Sequence, residues 1–74
     1  MEIRVRLFGV FRIGRFRDRI CSYSEGTTVQ DVADDFQLPE QILGIALING
    51  VHAEFNDVLK DGDELSILPL FDGG

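Results

Sequence analysis

The residues with the clearest chemical meaning are the last two, Gly73-Gly74, which follow an apolar stretch from Leu65 to Phe71. A terminal Gly-Gly pair places a free carboxylate on a narrow stalk without Cβ atoms. Glycine also lets the backbone approach another surface closely. We therefore expect a flexible tail over about residues 70–74 that presents the Gly74 carboxylate as a substrate. The alternative is a loose terminus without a function, since chain ends are usually mobile.

Few other residues could carry chemistry. Cys21 could relay sulfur as a persulfide if Arg17 and Arg19 lowered its pKa, but free cysteine commonly packs as a small hydrophobe, and we favour that role. His52 has no second histidine or cysteine motif beside it, so we expect no metal site. No catalytic triad, phosphate-binding loop or carboxylate pair is evident. We therefore expect no active site of the chain's own.

Size and composition bound the class of protein. The chain has 74 residues, 45% of them hydrophobic and 27% charged, which is the composition of a globular domain. A chain of this length leaves little room for both a core and a catalytic cleft. We expect a single domain over residues 1–74.

The charge is unevenly distributed along the chain. Residues 1–20 carry six arginines against Glu2 and Asp18, whereas residues 21–74 carry Lys60 against eleven acidic residues, for a net charge of −6. The acidic part argues against nucleic acid and anionic membranes as partners and favours a basic protein surface. We expect the arginines at 12, 15, 17 and 19 to form a solvated loop with local charge pairing.

The start of the chain and its single cysteine bear on the compartment. The segment Met1-Glu2-Ile3-Arg4 lacks the apolar region of a signal peptide. No apolar run approaches the roughly 20 residues that cross a bilayer. We expect a cytoplasmic protein.

The first segment alternates in polarity with a period of two, which predicts a half-buried strand. One face carries Ile3, Val5 and Leu7, and the other carries Arg4, Arg6 and Phe8. Gly9 and Gly14 indicate a turn, and residues 16–23 are expected to form a second, antiparallel strand.

A helix is predicted over about residues 29–37. Thr28 is a suitable N-cap with Asp31 three residues on. The positions of Val29, Val32, Ala33 and Phe36 place them on one helix face. Pro39 should end the helix near Gln37.

The second half of the chain predicts three more strands. Ile45 to Ile48 is followed by Asn49-Gly50, a strong hairpin signal, and residues 51–53 form the return strand. A turn at residues 60–63 precedes a final strand over 65–68. We predict an α+β fold with a mixed four- to five-stranded sheet and one main helix packed on one face.

One helix covers only one face of such a sheet. Phe8, Leu68, Leu70 and Phe71 add apolar surface on or near the other face. An apolar patch on a small protein usually marks an interaction site. We predict that these residues bind a partner.

Four segments together resemble a known family. They are Ile3 to Phe8, Thr27 to Val32, Leu47-Ile48-Asn49-Gly50, and Leu59 to Leu65 with the Gly73-Gly74 ending. The pattern resembles the β-grasp, ubiquitin-like sulfur carriers, namely the small subunit of molybdopterin synthase (MoaD) and the thiamine-pathway carrier (ThiS).

The resemblance implies a carrier mechanism. An adenylating enzyme of the ubiquitin-activating type uses ATP to activate the Gly74 carboxylate, and a sulfur donor converts it to a thiocarboxylate. The chain itself binds no cofactor. Gly73 keeps the stalk narrow for threading, while Leu70 and Phe71 anchor the tail in the partner's channel. The second partner is the large subunit of molybdopterin synthase or an equivalent sulfur acceptor enzyme, to which this chain is the small, sulfur-donating subunit.

Within the family, Pro69 and the aromatic region from Phe8 to Phe11 favour the molybdopterin branch. The short arginine-rich segment from Val10 to Asp18 and Asp72 before the glycines depart from it. A carrier for thiamine or another sulfur pathway, a ubiquitin-like modifier of lysines and a plain interaction domain remain the alternatives.

Overall fold

The structure, a computed structural model, describes residues 1–71. Its elements are β1 (Glu2–Leu7), a 3-10 helix (Gly9–Arg12), β2 (Asp18–Ser22), α1 (Val29–Asp35), a second 3-10 helix (Glu40–Ile42), β3 (Leu43–Ile48), β4 (Val51–Ala53) and β5 (Glu64–Pro69). The strands form one five-stranded sheet in the order β2-β1-β5-β3-β4. β1 and β5 are parallel, and the other neighbours are antiparallel. The predicted mixed sheet with one helix is confirmed.

The alternation in β1 produces the two-faced strand that it predicts. Ile3, Val5 and Leu7 are fully buried, because they point toward the side of the sheet that α1 covers. Arg4 and Arg6 point to the other side, where they form ion pairs. We call this second side the open face.

The helix begins as expected. The Thr28 side chain accepts a hydrogen bond from the Asp31 N–H at 3.1 Å, and the Asp31 carboxylate accepts one from the Thr28 N–H at 3.0 Å. This reciprocal capping box satisfies two donors that a helix start leaves free.

The helix ends two residues before the predicted end, at Asp35 rather than Gln37. Gln37 adopts the left-handed conformation with φ 54°. The Leu38 N–H donates to the Ala33 carbonyl and the Gln37 N–H donates to the Asp34 carbonyl, which is the Schellman arrangement. Leu38 is buried against the core. The burial of Leu38 and this motif, rather than Pro39, therefore end the helix.

The segment before β2 differs from the prediction. β2 begins at Asp18 instead of Phe16, because the Phe16 ring packs edge-on against Phe36 with 5.0 Å between ring centroids. The preceding 3-10 helix was not predicted, and it buries Phe11 completely. Phe36 itself is only half-buried, although the predicted helix face placed it in the core.

The core lies between α1 and the covered face of the sheet. Its buried members are Ile3, Val5, Leu7, Phe11, Val29, Val32, Ala33, Leu38, Ala46, Leu59, Leu65 and Ile67. The predicted Asn49-Gly50 hairpin is confirmed, since both residues have positive φ, at 54° and 81°. The described residues thus pack around one core; the extent of the domain over residues 1–74 stays a prediction.

Candidate functional site

The root of the tail lies at the end of β5, against the start of β3. The Leu70 N–H donates to the Ile42 carbonyl at 2.8 Å. Beyond this hydrogen bond the side chains turn to solvent, with Leu70 65% and Phe71 56% exposed. Asp72, Gly73 and Gly74 lie outside the described residues, so the roles expected for Gly73 and Gly74 stay predictions.

Apolar side chains occupy the half of the open face nearest this root. In the antiparallel pair of β3 and β5, Ile45 lies opposite Leu68. In the parallel pair of β1 and β5, Leu7 lies opposite Ile67, so that the next residue, Phe8, lies beside Leu68. Ile45 is 46% exposed, while Phe8 and Leu68 are half-buried. We call Phe8, Ile45, Leu47 and Leu68 the apolar half of the open face. The structure therefore brings two of the predicted partner residues, Phe8 and Leu68, onto one surface.

Two arginines flank Phe8. The guanidinium carbon of Arg6 lies 5.5 Å from the centroid of the Phe8 ring, and that of Arg12 lies 5.3 Å away. Arg12 also donates from Nε to the Leu7 carbonyl at 2.7 Å. Cations within about 6 Å of a ring are attracted by its negative face. The arginines thus hold Phe8 in place and add positive charge beside it.

Ion pairs occupy the other half of the open face. Arg4 Nε lies 2.9 Å from Asp18 Oδ1, and one guanidinium nitrogen of Arg6 lies 3.1 Å from Glu64 Oε1. The hydrogen bond from Arg4 lowers the pKa of Asp18 below its usual range. Exposed pairs of this kind contribute little to stability. Their effect is to keep this half of the face polar, so that the apolar half stands apart from it.

Within residues 1–71, the arginines at 12, 15, 17 and 19 do not form the ion pairs that we expected. Arg15 donates to the carbonyls of Phe36 at 2.9 Å and Gln37 at 3.1 Å, and Arg19 lies 4.3 Å over the Phe16 ring. A guanidinium at the C-terminus of α1 satisfies free carbonyls and complements the helix dipole. Arg15 therefore attaches the loop to the end of α1.

Cys21 is placed as a structural residue. It is half-buried in β2 opposite Ile3. Burial raises the pKa of its thiol despite the nearby Arg19 charge, and a protonated thiol is a weak nucleophile. This environment disfavours a sulfur relay at Cys21.

Residues 1–71 contain no group of three or more metal-ligating side chains and no pocket. His52 lies exposed in β4, opposite Leu47. Over the same described range, no helix is long and apolar enough to cross a bilayer.

Sequence reasoning missed Gly44 at this site. Its signal was available, since a glycine inside a strand marks a bulge or a close backbone approach. In the structure, β3 shifts register between Leu43 and Ile45, and the neighbouring backbone of residues 68–70 lies so close to Gly44 that a Cβ atom would not fit.

Over residues 1–71, the mixed sheet with one α-helix on one face defines a ubiquitin-like β-grasp domain. The chain belongs to the ThiS family, whose model matches residues 5–74. The predicted fold and family are thereby confirmed. No curated protein matches the chain significantly.

Solved structures share the fold. SAMP1 from Haloferax volcanii is 23% identical with a TM-score of 0.75, and each chain is covered completely. A putative molybdopterin converting factor, subunit 1, from Pyrococcus furiosus is 22% identical with a TM-score of 0.76, over 93% of this chain and 97% of that one. Subunit 1 in a complex of subunits 1 and 2 of the molybdopterin-converting factor from Helicobacter pylori is similar at 23% identity and a TM-score of 0.66, with full coverage of both chains.

Proposed function

We propose that this chain is a sulfur carrier whose Gly74 carboxylate is adenylated and converted to a thiocarboxylate that donates sulfur in molybdopterin biosynthesis. The observation that carries the proposal is the ThiS family match, which extends through residue 74 and so includes the Gly73-Gly74 ending. A thiocarboxylate persists best in a reducing compartment, so the proposal includes a cytoplasmic location.

The chemistry requires a partner enzyme, because no activated side-chain nucleophile is evident among residues 1–71. An adenylating enzyme of the ubiquitin-activating type binds ATP, and the Gly74 carboxylate attacks the α-phosphorus. An acyl-adenylate forms and pyrophosphate leaves. Hydrosulfide then attacks the acyl carbon and displaces AMP, which leaves the thiocarboxylate. The protein's own contribution is to present the carboxylate in the partner's site, where orientation decides the rate.

The open face supports a protein partner. Its apolar half lies beside the tail root, so one enzyme surface could hold Phe8 and Leu68 while the tail enters its active site. Leu70 and Phe71 are the first exposed side chains of the stalk and would contact the entrance. We propose the large subunit of molybdopterin synthase as the sulfur acceptor. The structure of the Helicobacter pylori protein as a complex of subunits 1 and 2 supports this choice.

A protein modifier is the second candidate. The likeness to SAMP1, a small archaeal modifier protein, favours it, as does the shared fold. The first step, adenylation of Gly74, is common to both functions. They differ in the nucleophile that follows, which is sulfide for the carrier and a lysine amine for the modifier. A carrier in thiamine or another sulfur pathway shares the carrier chemistry and differs in the acceptor.

Mass spectrometry of the tail tests the proposal. The protein is incubated with ATP, its native activating enzyme and hydrosulfide. The full chain should gain about 16 Da as sulfur replaces oxygen at the activated acyl group. A chain lacking Gly74 should not react, because its carboxylate stops about 3.5 Å short of the adenylation site.

Two variants of full length complete the test. Gly73→Val should hinder threading, because it adds a branched side chain to the stalk. Ile20→Ala, which alters an exposed residue on the polar half of the open face, should be modified like the wild type. Equal modification of the truncated chain would contradict the carrier proposal, and adducts on lysines would support the modifier instead.

A further inference from the structure

Gly44 lies at the register shift of β3, where the end of β5 and the root of the tail pack closely against it. A Cβ atom at this position would lie 2.7 Å from the Leu70 nitrogen, 2.7 Å from the Pro69 carbonyl carbon and 2.8 Å from the Leu68 oxygen. All three are backbone atoms, and Cβ atoms essentially never approach others so closely. Any side chain at Gly44 would therefore force the backbones of β3 and of residues 68–70 apart.

The conformation of Gly44 does not itself require glycine. Five other glycines have positive φ, but Gly44 is not among them. Its φ therefore lies outside the left-handed region in which the backbone itself favours glycine. The requirement for glycine at this position comes from the close contact with the backbone of residues 68–70.

The contact with the start of β3 is also the last described attachment of the tail. Leu43 pairs with Pro69, which has no N–H to donate. The next donor, the Leu70 N–H, binds the Ile42 carbonyl at 2.8 Å. Only four residues separate Leu70 from the Gly74 carboxylate, and four residues span at most about 14 Å. The position of this attachment therefore limits where the carboxylate can reach.

We propose that Gly44 is a positioning residue for the tail, which allows residues 68–70 to lie against β3 and so sets the point from which the stalk leaves the domain. This inference rests on the proposed function, since the stalk must deliver Gly74 to an adenylating enzyme. The enzyme holds the domain through its open face, so a displaced root misplaces the carboxylate in the active site. Misplacement by about 1 Å can lower a rate a hundredfold.

The test compares Gly44→Ala with Gly26→Ala. Gly26 has φ +92° and nothing within 4 Å of an added Cβ, so its alanine variant is strained but does not touch the tail. Adenylation is measured by ATP–pyrophosphate exchange with the native activating enzyme. Gly44→Ala should lower kcat about tenfold or more with a smaller change in KM, because the carboxylate is misplaced after docking. Gly26→Ala should keep the wild-type kcat.

Hydrogen exchange supplies a readout that does not depend on the enzyme. The Leu70 amide should be protected in the wild type and in Gly26→Ala, and should lose protection in Gly44→Ala while the Val5 and Ile67 amides keep theirs. Wild-type kcat in Gly44→Ala, or a loss confined to KM, would overturn the inference. A wild-type protein that is not adenylated at all would overturn both the inference and the proposed function.

An insertion covers the case in which Gly44→Ala fails to fold. One glycine added between Phe71 and Asp72 leaves the contact at Gly44 unchanged but moves the carboxylate by up to about 3.5 Å. A fall in kcat supports a fixed exit point for the stalk, and an unchanged kcat overturns the positioning role.

Discussion

The two faces of the sheet are built from the same strands but meet different surroundings. On the covered face, Ile3, Val5, Leu65 and Ile67 are all 0% exposed beneath α1. On the open face, the intervening positions carry charges at one end of the strands and apolar side chains at the other. The covered face is uniformly apolar because it is filled by the core, whereas the open face changes character along its length.

The difference indicates which part of the sheet is the candidate interaction surface. Burial alone explains the covered face, since closely packed apolar side chains are what a small domain needs for stability. Burial does not explain why Phe8, Ile45 and Leu68 are grouped where the tail leaves the domain. Exposed apolar residues that form a patch usually mark an interaction site. We therefore expect substitutions on the covered face to change stability and those on the apolar half of the open face to change binding.

The largest expected effect is a difference in lost stability between the alanine variants of two phenylalanines that lie three residues apart. Phe11 is fully buried, whereas Phe8 is half-buried on the open face. Phe11→Ala should lower the free energy of unfolding by about 3–5 kcal/mol, through lost burial and a cavity. Phe8→Ala should cost less than half as much. Urea unfolding of both variants measures this, and equal losses would show that the two faces do not differ as described.

A binding effect should follow on the open face. Leu68→Asp places a charge in the apolar half and should weaken the complex with the activating enzyme about tenfold or more, which corresponds to about 1.4 kcal/mol. Ile20→Asp makes the same change on the polar half of the same face, where Ile20 is 58% exposed, and should leave the affinity nearly unchanged. Isothermal titration calorimetry compares them. If both variants lose affinity equally, the apolar half is not the specific docking surface.

The smallest expected effect is a loss of stability at alkaline pH, caused by groups at the border of the covered face. The Tyr23 hydroxyl donates to Asp35 Oδ2 at 3.0 Å. Burial is the main cause that raises the pKa of Tyr23, and the hydrogen bond to Asp35 is the second. Burial also raises the pKa of Cys21. The folded pKa values then exceed the unfolded ones, about 10 and 8.5. These groups therefore contribute stability that is fully present below the unfolded pKa values and is lost as the pH rises through the folded ones.

Tyr23→Phe should consequently reduce the loss of stability above about pH 10. Near neutral pH the same variant should have a free energy of unfolding about 1 kcal/mol lower, because the hydrogen bond to Asp35 is missing. Cys21→Ala isolates the thiol, whose part of the loss should begin above about pH 8.5. Urea unfolding at a series of pH values gives both results. An alkaline loss of stability that is identical in all three proteins would contradict the assigned cause.

Local chemistry in the sequence was sufficient for much of the fold. The alternation of residues 3–8 predicted a two-faced strand, because successive side chains of a strand point to opposite sides. Thr28 with Asp31 predicted the helix start, since the capping box involves residues three apart. Asn49-Gly50 predicted the hairpin, because those residue types tolerate positive φ. Of the candidate site, the sequence indicated the Gly-Gly tail and the apolar residues near it.

The tertiary structure decided the features that depend on residues distant in sequence. Phe11 is in the core because the 3-10 helix turns it inward, and no periodicity in its own segment shows this. The helix ends at Asp35 because Leu38 finds a buried place and Arg15 caps the free carbonyls from another loop. Gly44 matters because the end of β5, some 25 positions later, packs its backbone against it; a glycine inside a strand can indicate a close approach, but the sequence does not show which segment approaches. Periodicity and capping are local properties that the sequence determines by itself, whereas a close approach between backbones exists only once the strands have been placed side by side.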